Sequence, residues 1–104
     1  MNLTKAPIRS SLIDDPDLKE LVVEFVGKVP LRIQGIQTAI AKKDSADLKT
    51  KIHQLRGACG SYGFRELTPL ATSIENRLQA GESIEQVQNL LDEYLDACGR
   101  ITDA

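Results

Sequence analysis

The chain has 104 residues, 13 basic against 15 acidic, and a formal net charge of −2. That balance gives no electrostatic footprint for nucleic acid or an anionic membrane, and a 41% hydrophobic share is that of a folded globular protein. No apolar run approaches the roughly 20 residues needed to cross a bilayer. With one histidine and two distant cysteines, Cys59 and Cys98, a zinc site is not expected, and no Gly-rich phosphate loop is present. No metal and no bound cofactor are expected on this chain. The start, Met1 to Ser10, lacks an apolar signal core, so a cytoplasmic protein is expected.

Residues 1–13 have no clear period and are expected to form a loosely packed lead-in. Asp14-Asp15-Pro16-Asp17 then reads as a helix start, with acid before a proline in the first turn. Apolar residues follow at Leu18, Val22, Phe25, Val29, Ile33, Ile36 and Ile40. These steps of three and four describe one stripe of a helix over about 16–43. Pro30 lies within it, but the stripe keeps phase, so a kinked continuous helix is expected.

Asp44-Ser45 caps a second helix over about 45–62, with the stripe Leu48, Ile52, Leu55, Cys59 and Tyr62 and a left-handed closing residue at Gly63. A third helix over about 66–80, regular from Thr68-Pro69, buries Leu70, Ile74 and Leu78 and ends at Gly81. Ser83 to Gln86 is a capping box, opening a fourth helix over about 83–101 with Ile84, Val87, Leu91, Tyr94, Cys98 and Ile101 inward. Nothing reads as a strand. The expected fold is all-α, a single domain built as an antiparallel four-helix bundle. Cys59 and Cys98 fall on the stripes and are expected as buried free thiols.

At about 100° per residue, with Leu48 at zero, the second stripe is centred near zero and His53 falls at about 140°. The only histidine therefore points to solvent. Ala46, Gly57 and Gly60 surround it, at about 120° to 180°. Glycine in a helix interior costs about 0.5–1 kcal/mol against alanine, so bare backbone beside an imidazole points to close approach by another molecule. A helix crossing at Gly57 or Gly60, or fraying towards Gly63, is the competing reading. Lys49, four residues before His53, and Arg56, three after, place cations within reach of the ring. They suit an incoming phosphoryl group, Arg56 above all.

His53-Gln54-Leu55-Arg56-Gly57, then five residues, then Gly63 resembles the signature of the histidine phosphotransfer (HPt) domain. In that family the histidine is followed by a hydrophobic residue at plus two, lysine or arginine at plus three, and glycine at plus four and plus ten. Leu67 and Leu70-Ala71-Thr72-Ser73-Ile74-Glu75 resemble the family's next helix, and the likeness spans about residues 15 to 101. Arginine stands at plus three where lysine is more usual. The resemblance implies that His53 is the phosphoacceptor in a phosphorelay and that Arg56 stabilises the phosphoryl charge. It also implies that Glu75 orients the imidazole through Nδ1. The expected docking residues are Gly57, Gly60, Lys49 and Ala46, framed by the first helix or the lead-in.

The implied partners are response-regulator receiver domains and a sensor (hybrid) histidine kinase, with Mg²⁺ on the receiver. The chain is then a phosphocarrier without kinase activity of its own. The dimerisation domain of sensor kinases is a less good match, because its histidine is normally followed by an acid and, a little later, a proline. Here Gln54 follows, and residues 54 to 68 contain no proline. Two rival readings stand beside transfer: a helical module that docks a receiver or kinase without transferring phosphate, and a bundle cut from a larger kinase. Met1 and the self-contained helices favour a standalone protein, and the use of all four stripes in one bundle favours a monomer.

Overall fold

Asp44 stops one helix and starts the next: its side-chain Oδ1 accepts from the Asp47 backbone N–H at 3.0 Å, capping α2, Ser45–Ser61. In the computed structural model, which describes residues 6–103, α2 is the central element. It packs between α1, Lys19–Ala41, and α3, Thr68–Gln79, while α4, Gln88–Gly99, lies against α3 and returns to α1. Each helix thus neighbours its chain neighbours, closing an antiparallel four-helix ring. Leu48, Ile52, Leu55 and Cys59 of α2 are all fully buried. They meet Val22, Phe25 and Ile36 of α1, Ala71 and Ile74 of α3, and Leu91, Tyr94 and Cys98 of α4 in one core. Both cysteines are free and buried.

α1 runs continuously through Pro30. The ring is exposed, and the Val26 carbonyl loses its helical partner there. α1 begins at Lys19, three residues later than the acid-proline signal suggests. Asp15 Oδ1 accepts from the Asp17 N–H at 2.9 Å, but this bond closes a turn and does not cap α1, whose N-cap, Leu18, has no side-chain bond. The segment from Pro16 to Leu18 is a turn, and the first i to i−4 bond is Lys19 N–H to the Asp15 carbonyl. The capping box is formed in both directions, Ser83 N–H to Gln86 Oε1 at 2.7 Å and Gln86 N–H to Ser83 Oγ at 3.1 Å. It opens a short 3₁₀ turn, Glu85–Val87, before α4 proper. A second such turn, Arg65–Leu67, precedes α3. On the third helix Ala71, rather than Leu70, is the fully buried residue at the start.

The lead-in is the main correction. From residue 6 onward it is not loose; its first five residues lie outside the described ones. Ile8 and Ile13 are buried, and β1, Ile8–Arg9, pairs in parallel with β2, Ile101–Thr102. The fourth helix therefore ends at Gly99 instead of reaching 101. Ser10 is also buried, its Oγ donating to the Tyr62 carbonyl at 2.6 Å and accepting from the Leu12 N–H at 2.9 Å. The Ser11 N–H donates to the Gly63 carbonyl at 2.9 Å. Gly63 has φ +88° and ends α2, and a side chain there would strike Ser10 and the Ser11–Leu12 backbone. This glycine has two reasons to be one: the left-handed turn and the segment that crosses it.

Candidate functional site

The register of α2 that buries Leu48, Ile52, Leu55 and Cys59 turns His53 outward, and its side chain is 64% exposed. α3 brings Glu75 alongside. The Glu75 side chain is only 14% exposed, and its Oε1 lies 2.8 Å from His53 Nδ1. An ionised carboxylate can only accept, so this bond requires the proton on Nδ1. Nε2 is then left with the lone pair, and among the described residues no side chain pairs with it. Histidine, carboxylate and helix register together present one ring nitrogen to solvent.

Arg56, one turn along α2, completes the cluster. Its Nε is 2.8 Å from Glu75 Oε2, its Nη1 donates to Thr72 Oγ1 at 3.3 Å, and its Nη2 lies 3.0 Å from His53 Nδ1. With Nδ1 protonated, that last approach is a neighbour contact and not a hydrogen bond, since both atoms are donors. The guanidinium is held on the Nδ1 side by α3, a fork-shaped contact that a lysine ammonium could not reproduce. Thr72 is the member of this cluster that sequence reading misses. The signal is present, because Thr72 and Glu75 are three apart on α3 and share a face.

Of the expected docking residues, Gly57 and Gly60 line an open groove of about 890 Å³ between the C-terminal half of α2 and the start of α3, with Arg56, Ser61, Arg65, Thr68 and Thr72. A Cβ at Gly57 or Gly60 would meet nothing within 4 Å. No helix crosses at either position, so intramolecular packing does not require glycine there. Lys49 sits on the other side of His53, in a smaller hollow with Gln54, Glu75, Asn76 and Gln79, and its Nζ donates to Gln79 Oε1. Ala46 is exposed one turn further back and lines neither hollow. α1 does frame the site: Leu31, 69% exposed, and Gly35 form a shallow depression with Lys51 and Gln54. No described lead-in residue lines any of these hollows.

A four-helix ring with one accessible imidazole, whose Nδ1 meets a carboxylate from the next helix, is chemically suited to nucleophilic attack through Nε2. The sequence model of the Hpt domain matches residues 20–101, and the chain belongs to this family. Among solved structures it is similar to the HPT domain of the Hpt sensor hybrid histidine kinase from Shewanella. The two superpose with a TM-score of 0.70 at 27% identity, over 78% of this chain and 69% of that one. No curated protein matches the chain. Membership gives a general role in histidine phosphotransfer within phosphorelays, where Hpt domains interact with kinases and receiver domains. Among the described residues no helix is long and apolar enough to cross a membrane.

Proposed function

We propose that His53 accepts a phosphoryl group from the aspartyl phosphate of one receiver domain and passes it to the aspartate of another. The Nε2 lone pair attacks phosphorus as the P–O bond to aspartate breaks, releasing a carboxylate. The ring then bears the phosphoryl group on Nε2 and its proton on Nδ1, and the positive charge it gains lies against Glu75. In the second half, the acceptor carboxylate attacks phosphorus, the N–P bond breaks and the ring returns to neutral. Phosphoryl transfer depends mainly on in-line placement and charge neutralisation. Arg56 is paired with Glu75 and is the cation beside the ring, adding positive charge next to the phosphoryl group. Mg²⁺ and the acidic pocket belong to the receiver, and the chain acts in the cytoplasm as carrier and substrate.

The observation that carries this reading is the 2.8 Å contact of His53 Nδ1 with Glu75 on a ring that is 64% exposed. It supports a nucleophilic Nε2 over a surface histidine without a task. The experiment is incubation with a ³²P-labelled receiver domain. Acid-labile, base-stable label is expected on the wild type and absent from His53→Gln. Label persisting in that variant overturns the assignment. Tight receiver binding without any label transfer makes the domain a docking module instead.

A further inference from the structure

The hollow on the C-terminal side of His53 is larger than catalysis at one imidazole requires, and its lining has a definite character. Arg56 and Arg65 contribute two cations, Ser61, Thr68 and Thr72 contribute hydroxyls, and among the described residues no carboxylate lines it. The two arginines differ. Arg56 is matched by Glu75 at 2.8 Å. Arg65 opens the 3₁₀ turn Arg65–Leu67 before α3 and is exposed, its carbonyl accepts from the Thr68 N–H, and its side chain has no ion pair or hydrogen bond among the described residues. Among the described residues that line the groove, its guanidinium is the charge without a partner. The floor is bare helix at Gly57 and Gly60, where a side chain would meet nothing of this chain. A surface kept empty, continuous with the His53 cluster through Arg56 and carrying unmatched positive charge, suits an acidic protein surface.

We propose that this groove seats a carboxylate-bearing rim of the receiver domain, and that Arg65 is the contact that selects it. The proposal rests on the phosphotransfer reading above. The partner's body lies over Gly57 and Gly60, its acidic edge meets Arg65, and its phosphoacceptor aspartate is thereby brought over Nε2 of His53. The charge is at the rim of the contact, so it acts mainly on the rate of productive encounter and is screened by salt. The overall charge of −2 makes this positive groove a local feature against an acidic background, which favours a protein carboxylate surface over nucleic acid.

The test separates loading from docking. Potassium phosphoramidate phosphorylates an imidazole directly, with loss of ammonia, and needs no docked protein. Wild type and Arg65→Glu are loaded in this way, the phosphohistidine in each is quantified, and discharge to a panel of purified receiver domains is followed per loaded molecule. For receivers that wild type discharges to, Arg65→Glu is expected to lower the second-order rate by about tenfold or more. The wild-type rate should fall between low and high salt, whereas that of the variant should not. Arg65→Lys should keep most of the rate. Equal discharge by wild type and Arg65→Glu at low salt overturns the docking role and leaves phosphotransfer standing. Failure of fully loaded wild type to discharge to any receiver overturns the phosphotransfer reading itself, and the docking proposal with it. Circular dichroism and the thermal midpoint of Arg65→Glu control for folding.

Discussion

Arg56 and Glu75 are locked together across the α2–α3 seam, Nε to Oε2 at 2.8 Å, while the other oxygen of Glu75 faces His53 Nδ1 at the same distance. One carboxylate thus orients both the nucleophile and the cation beside it. Removing it does more than delete a hydrogen bond. In Glu75→Ala the freed Arg56 guanidinium, already 3.0 Å from Nδ1, becomes a donor to that nitrogen and moves the ring proton to Nε2. A hydrogen bond to a charged group contributes about 1.5–3 kcal/mol, so Glu75→Ala should slow transfer by roughly 10- to 100-fold. Glu75→Gln keeps an acceptor for Nδ1 and should slow it less. NMR of the His53 ring nitrogens checks the cause: the Nδ1–H tautomer should dominate in wild type and lose ground in Glu75→Ala.

The Arg56 fork makes an Arg56→Lys exchange non-conservative here. A single ammonium cannot meet Glu75 and Thr72 together in the way Nε and Nη1 do. Arg56→Lys should therefore fall between wild type and Arg56→Ala in transfer rate, with Arg56→Ala slower by about tenfold. Arg56→Ala leaves the Glu75 carboxylate, 14% exposed, without its cation and should also cost about 1–3 kcal/mol of stability, Arg56→Lys less. Chemical denaturation and transfer kinetics on the same samples separate the two effects.

Gly57 gives opposite signs for stability and activity. Its backbone is helical and a Cβ there would meet nothing within 4 Å. Gly57→Ala should stabilise the protein by about 0.5–1 kcal/mol, read as a thermal midpoint raised by roughly 2–8 °C. Gly57→Leu should fold equally well yet lower receiver-dependent transfer at least tenfold, since its side chain projects onto the partner's path. A destabilised Gly57→Ala would show that packing within the chain chose this glycine.

The bundle was legible because each helix announces its buried face: the α2 stripe alone sets the direction of His53, and Asp44, Gly63 and Gly81 mark ends by local rules that need no tertiary context. What was not legible is contact between residues distant in the chain. Nothing about Ile8 or Ser10 in isolation says that they will meet Ile101 and Tyr62, because a two-residue parallel pairing has no periodicity to detect. The site divides in the same way. His53 and Arg56 follow from one helix, and Glu75 came through family resemblance. Thr72 and Arg65 required knowing how α3 and its preceding turn lie against α2.

Ser10 tests the unforeseen part of the fold. It is buried and its hydroxyl both donates to Tyr62 and accepts from the Leu12 N–H. Ser10→Ala leaves a carbonyl and an amide without that partner, at a cost of about 1–3 kcal/mol, or roughly 4–8 °C in thermal midpoint per kcal/mol. Transfer at temperatures well below the midpoint should persist, because no described lead-in residue lines the hollows around His53.

The two buried thiols set a limit at alkaline pH. Burial pushes Cys59 and Cys98 up to about 12, whereas an unfolded thiol ionises near about 8.5. Below that value both states hold the proton and stability is undiminished. Above it the unfolded chain loses protons that the folded chain keeps, so stability falls as pH rises towards 12. The loss between pH 8 and 10 should be about 1–2 kcal/mol per thiol. Urea midpoints at the two pH values measure it. The double variant Cys59→Ala with Cys98→Ala, compared with its own midpoint at pH 8, should show a flatter decline. An equally steep decline would assign the alkaline sensitivity to other groups, with buried Tyr94, whose hydroxyl is also raised by desolvation, the first to examine by Tyr94→Phe.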